Sequence, residues 1–104
     1  MGHSITLRHA TPVRNKKSIE RRGLLPGFSR GKLLAVWLHA AVASPWAIIH
    51  THRRHGARCD RIVIYEVQVP RSWLRKHRKG LWYCTRPIGP ERLKGTIDFA
   101  TVAG

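Results

Sequence analysis

His9 and Thr11 are the first side chains in this chain spaced to meet a ligand. They lie in residues 4–25, S-I-T-L-R-H-A-T-P-V-R-N-K-K-S-I-E-R-R-G-L-L. The stretch reads as a strand over residues 5–9, a cap, one short helix and a stop. Thr11 fits an N-cap and Pro12 the first helical position, where a missing N–H costs nothing. Gly23 falls where a left-handed C-terminal cap belongs. Polar side chains at a strand-to-helix corner sit beside N–H groups that are free to meet an anion. The plainer reading is that Thr11 only caps and His9 only fills a strand end, and the spacing allows both.

Other stretches invite chemistry less specifically. The run H-T-H-R-R-H places His50, His52 and His55 close in sequence. On a helix, i and i+2 point apart and i and i+5 do not share a face, and no carboxylate stands beside them. A solvated basic face is therefore expected, with no metal. Residues 71–80, R-S-W-L-R-K-H-R-K-G, interleave cations with Trp73. Cations neutralise phosphate and rings stack on bases, so Arg71, Arg75, Lys76, Arg78 and Lys79 are expected nucleic-acid contacts. Arg53 and Arg54 on the second helix, and Arg30 and Lys32 in P-G-F-S-R-G-K, extend that set. Plain solvation of the same charges is the competing account.

Several elements must position these residues. Residues 33–39, L-L-A-V-W-L-H, form a short apolar run that suits a buried strand. Ser44-Pro45 then reads as a cap and first helical residue for a helix over 46–55, ended by Gly56. In Arg61–Pro70, Val63, Tyr65, Val67 and Val69 alternate with Ile62, Ile64, Glu66 and Gln68. One face is thus expected to be buried, and the other to turn polar toward the strand's end. Residues 71–80 read as a basic turn or short helix, 81–85 as a strand, R-P-I-G-P-E-R-L as a turn and 95–102 as a closing strand. The order predicts one small α+β domain, a mixed sheet with two to three short helices.

Composition narrows the partners. The chain has 104 residues, with 20 Lys and Arg against 5 acids, a formal net charge of +15. Such a chain seeks a polyanion, and nucleic acid leads. No helix pairs a wide apolar face with a basic one, and the run 33–49 is broken by His39, Ser44 and Pro45, so no membrane role is expected. Cys59 and Cys84 lie far apart without a C-x-x-C, which argues for two idle thiols. The polar N-terminus points to a cytoplasmic protein.

H-A-T-P-V-R-N-K-K-S-I-E-R-R-G-L-L-P, V-W-L-H-A-A-V-A-S-P-W-A-I-I-H and I-V-I-Y-E-V-Q-V-P, in that order, resemble the small bacterial proteins of the ADP-ribosyltransferase fold. The resemblance covers nearly the whole chain. It implies an ADP-ribosyltransferase-like domain over residues 1–104, with NAD as cofactor. His9 would then hydrogen-bond the NAD ribose, supported by Thr11. Trp37, where the family often has Tyr, would stack on nicotinamide, and His39 stands where Thr or Ser is common. The third family position, usually an acid or Gln late in the fold, would be Glu91, Glu66 or Gln68. Chemistry of this kind polarises a ribose and stabilises an oxocarbenium-like transition state. The related RNA 2′-phosphotransferases hold phosphate with Arg and His, roles that Arg8, Arg30 and His39 match in type. The family's Arg followed by H-x-H is replaced here by A-V-W-L-H. Two functions follow: a transferase acting on a phosphate-rich target such as nucleic acid, or a non-catalytic basic module that binds RNA or DNA.

Overall fold

The computed structural model describes residues 3–28, 34–55 and 61–100. Nine elements follow in order: β1 (Ser4–Pro12), α1 (Lys16–Arg22), β2 (Gly27–Phe28), β3 (Leu34–His39), α2 (Ser44–His55), β4 (Arg61–Pro70), β5 (Arg75–Arg78), β6 (Leu81–Cys84) and β7 (Leu93–Ala100). The strands form a sheet in the order β5-β6-β3-β1-β4-β7, with the two-residue β2 beside β3. It is not the mixed sheet expected: every ladder is antiparallel, because each strand runs opposite to the neighbours it pairs with. The class is α+β.

β1 pairs with β4 along its full length, from Ser4 opposite Pro70 to Pro12 opposite Ile62. Their odd-numbered residues share one face. Leu7, Val63, Tyr65, Val67 and Val69 pack there with Val36, Leu38 and Cys84, under Ile19 of α1 and under Leu24 and Ile88. The even-numbered residues point the other way. Ala10, Ile62 and Ile64 pack with Ile48 of α2 and with Ile97. Period-2 alternation on a two-sided sheet yields both cores. The alternation expected for Arg61–Pro70 is present: Ile62 and Ile64 are buried, Glu66 is half-buried and Gln68 is exposed.

The sheet is pinched at its centre. β1 and β3 share a single pair, Arg8 opposite His39. On one side of this seam lie β5, β6 and β3, and on the other β1, β4 and β7.

Four local expectations are corrected. Thr11 and Pro12 do not start a helix. They end β1, because both find ladder partners on β4, and a 3-10 turn over Val13–Asn15 precedes α1. Ser44 is not a cap either. A 3-10 turn over Ala41–Ala43 comes first, and Ser44 already has helical backbone angles. The basic stretch 71–80, expected as a turn or short helix, is a turn only in part. After a turn at Arg71–Trp73 it becomes β5, whose residues are all exposed, paired to β6. Cross-strand pairing overrides a weak helical pattern here, and a charged edge strand resists edge-to-edge association. The closing strand begins at Leu93, earlier than expected.

Trp73 explains why the 85–92 connection stays close to the sheet. The guanidiniums of Arg86 and Arg92 lie 4.7 and 4.6 Å from its ring centroid. Arg92 also donates to the Gln68 carbonyl at 3.4 Å. Cys84 is buried as a free thiol, while Cys59, Gly56, Arg30 and Lys32 lie outside the described residues. No helix among the described residues is long and apolar enough to cross a membrane.

Candidate functional site at the seam of the sheet

The single Arg8–His39 pair brings polar groups from three strands and one helix together. Arg8, Glu66 and His39 occupy adjacent positions on β1, β4 and β3. At ordinary strand spacing this row spans about 10 Å. By the alternation, all three side chains belong to the face that carries α2. Arg8 Nη2 lies 3.7 Å from Glu66 Oε1, and the two side chains are 25% and 39% exposed. Arg8 Nη1 donates to Ser44 Oγ at 3.3 Å. Ser44 Oγ in turn lies 3.3 Å from His39 Nε2. Ser44 and His39 are buried, so the row has a wet end at Glu66 and a dry end at His39.

Trp37 stands two residues along β3 from His39, on the same face. Its ring lies 5.2 Å from that of Tyr83, its cross-strand partner on β6, and 5.2 Å edge-on from His77 of β5. Trp37 and Tyr83 are half-buried. The arrangement is a wall of rings beside an arginine and a carboxylate.

His39 is neutral at physiological pH. Burial pushes its pKa down to about 4, and the nearby His9 and Arg8 charges act in the same direction. His9 is on the opposite face, where Leu7 packs. Its Nδ1 lies 2.8 Å from the Trp37 carbonyl oxygen. A carbonyl only accepts, so Nδ1 holds the proton and donates. Part of the His9 surface is accessible, yet its ring is deep enough that lost hydration lowers its pKa, opposed by that hydrogen bond. His9 therefore crosses the seam between β1 and β3 where their ladder is missing.

The structure thus sorts the residues singled out from sequence. Trp37, His39 and Glu66 share one face near the seam. His9 lies behind them, joined to the Trp37 backbone and not to its ring. Thr11 is buried on the His9 side and accepts a 2.9 Å hydrogen bond from Asn15 Nδ2. Glu91 is exposed in the 3-10 turn Pro90–Arg92 that precedes β7. Gln68 is exposed on β4, two residues beyond Glu66. Arg8, whose type matches a phosphate-holding arginine, is the hub of the row. Ser44, read only as a cap, is its second member. A period-2 count along R-H-A-T would have set Arg8 and His9 on opposite faces, but only the pairing with β3 and β4 says which face each partner occupies.

Thr11 and Asn15 carry a simple expectation. Thr11→Val keeps the shape, removes the acceptor for the Asn15 amide, and should destabilise the protein by about 1 kcal/mol. Chemical denaturation measures this, and a loss above roughly 3 kcal/mol would show that Thr11 does more than hold the turn.

Arg53 is exposed on α2, as are Arg71, Arg75, Lys76, Arg78 and Lys79 around β5. The side chains of Arg54, His52 and His55 lie outside the description. Among the described residues no group of His, Cys, Asp and Glu is placed to hold a metal ion. Comparison with models of known families and with curated proteins finds no match.

Proposed function

We propose that the protein is an NAD-dependent transferase of the ADP-ribosyltransferase type, with its dinucleotide site on the α2 face of the seam, acting on a phosphate-rich target such as nucleic acid. The observation that carries this reading is the row Glu66–Arg8–His39 set beside the ring wall of Trp37 and Tyr83. Arg8 is permanently charged and partly exposed, as pyrophosphate binding requires. Trp37 offers an indole for the nicotinamide. Glu66 supplies the one carboxylate on this row, where an oxocarbenium-like ribose would need stabilising.

Arg8 and Glu66 form an ion pair 3.7 Å apart. If NAD were bound, Arg8 would hold its pyrophosphate, and the Glu66 carboxylate would face the ribose and stabilise positive charge developing there. His39 and Ser44 hold the other side of the guanidinium, and His9 fixes the Trp37 backbone from behind. Within this reading, His9 and Thr11 position the site and do not touch the cofactor.

Calorimetric titration with NAD, together with an assay of nicotinamide release, tests the proposal. Wild type should bind saturably. Arg8→Met should weaken binding at least tenfold, about 1.4 kcal/mol. Glu66→Gln should keep binding within about threefold and lower turnover by about 100-fold or more, the scale of a lost electrostatic group. No saturable binding at millimolar NAD would leave the alternative, a non-catalytic basic module for RNA or DNA.

A further inference from the structure

We infer that the groove between α2 and β5 is a docking track for single-stranded nucleic acid leading to the seam. The assignment of the strand as acceptor rests on the transferase reading, whereas the docking itself does not.

β5 carries an irregularity. Lys76 pairs with Trp82 and Arg78 with Leu81, so the register slips by one residue at His77. A bulge places two residues against one partner and turns neighbouring side chains toward the same side. His77 accordingly meets Trp37, and the adjacent Arg78 places its guanidinium 5.2 Å from the ring centroid of Trp46 on α2. Trp46 also stacks on His50, with centroids 5.0 Å apart and planes 12° apart. The bulge therefore links two ring groups, Trp37 with Tyr83 and Trp46 with His50, through consecutive residues of one strand.

Charge and exposure fit a strand of nucleic acid. Residues 75–79 are all exposed with no acid among them; Arg75, His77 and Arg78 serve the Trp37 face, whereas Lys76, paired with Trp82, belongs to the opposite face. Trp46 remains 40% exposed despite its neighbours. Arg78, Lys79, Gly80 and Leu81 line a recess with Ala43 and Trp46. An arginine held over a ring is kept flat while its N–H edges stay free for phosphate. Rings spaced among cations suit unpaired bases, since a duplex hides the base faces that stack.

A lipid surface is the main competitor. Ile49 is exposed on α2, one turn from Trp46, and Val42 is exposed in the 3-10 turn that precedes the helix. However, Trp37 and Tyr83 lie half-buried in the sheet, where a flat bilayer cannot reach and a flexible strand can. The cations also flank the rings on β5 instead of continuing the apolar ridge.

Fluorescence anisotropy with labelled oligouridine, oligothymidine and a duplex, each of roughly 20 units, longer than one such site, tests the track. Binding is read without NAD at about 50 and about 200 mM salt, the range in which phosphate contacts weigh most. Arg78→Ala with Lys79→Ala should weaken single-strand binding about tenfold or more, and should flatten the salt slope by about 1.4, two contacts at about 0.7 each. The charge-matched pair Lys17→Ala with Arg21→Ala, on exposed α1 positions of the other face, should change it less than about twofold. Trp46→Leu should weaken single strands at least about fivefold, the low end of a base–aromatic stack, and leave a duplex unaffected. Comparison of the two homopolymers identifies RNA or DNA as the ligand.

Equal losses in the two charge pairs would overturn the proposal, because binding would then follow net charge alone. Preference for duplex would overturn it too. So would binding to phosphatidylserine-containing vesicles that depends on Arg78 and Lys79 while oligonucleotides bind weakly or not at all. NAD affinity of the Arg78/Lys79 variant should match wild type, so failure of the track and failure of the cofactor site are separate results.

Discussion

Gly23→Ala is expected to cost at least about 3 kcal/mol and to leave little folded protein at moderate temperature. Gly23 ends α1 with φ 77° and ψ −164°. That combination is open essentially to glycine alone, and forcing a side chain into it costs roughly 1–3 kcal/mol by itself. A second cost is steric. A Cβ at this position would overlap the backbone carbonyl oxygen of Ile88 and crowd Gly89. The crowding cannot relax cheaply, because Leu24 and Ile88 exchange backbone hydrogen bonds of 2.8 and 2.9 Å beside it. Both are buried, and they close the core beneath α1. Any shift that makes room for the methyl must open that bridge. Urea denaturation of wild type and variant measures the effect. A change below about 1 kcal/mol would show that the α1 corner tolerates a side chain, against the close approach described. Gly80, whose φ is 79°, meets only the Ala43 side chain, at 3.6 Å. Gly80→Ala should therefore show the backbone cost alone, roughly 1–2 kcal/mol.

Stability should also fall on mild acidification, and the seam is the cause. The His39 pKa drops from 6.5 to about 4 on folding. Between these values the unfolded chain binds more protons than the folded one, so stability rises with pH across the window. The contribution is complete above pH 6.5 and is lost progressively as pH falls toward about 4. Its full size is roughly 3 kcal/mol, at 1.36 kcal/mol per unit. His9, lowered by burial, acts in the same direction. The part of the window above about pH 5 lies clear of ordinary carboxylate titration, so histidine dominates there. Denaturation midpoints at several pH values between 5 and 7 should therefore decline steadily for wild type. His39→Gln keeps a polar group near Ser44 and cannot ionise, so its decline should be much shallower. A wild-type midpoint that is flat over this range would mean that the ring takes up its proton without cost, contrary to its burial beside Arg8. A charged His39 would also repel the guanidinium that Ser44 and Glu66 hold.

Local pattern made much of this fold readable. The alternation of Arg61–Pro70 predicts both the length of β4 and the polarity change at Glu66, because side-chain direction in a strand follows position alone. Gly23 as a stop and 81–85 as a strand follow from equally local causes. Expectations went astray where two segments competed for the same backbone groups. Thr11 and Pro12 look like a helix start, yet Val63 and Ile62 claim them for the sheet. Residues 71–80 show no strand pattern of their own, and β6 makes one of them by pairing.

The candidate site divides in the same way. Residue types and their order along the chain determine that a histidine, an arginine, a tryptophan and few acids are available, and that the whole is strongly cationic. They also determine that Arg8 and His9 must face opposite ways. Which residue meets which was decided only in three dimensions. Arg8 finds Glu66 and Ser44, while His9 finds a carbonyl 28 residues away, because the sheet narrows to one pair at Arg8 and His39. A one-residue slip in that register would move Trp37 and His39 to the face opposite Arg8. Register is set by the summed burial of two cores on either side of the sheet, a property of the packed whole that no single segment contains.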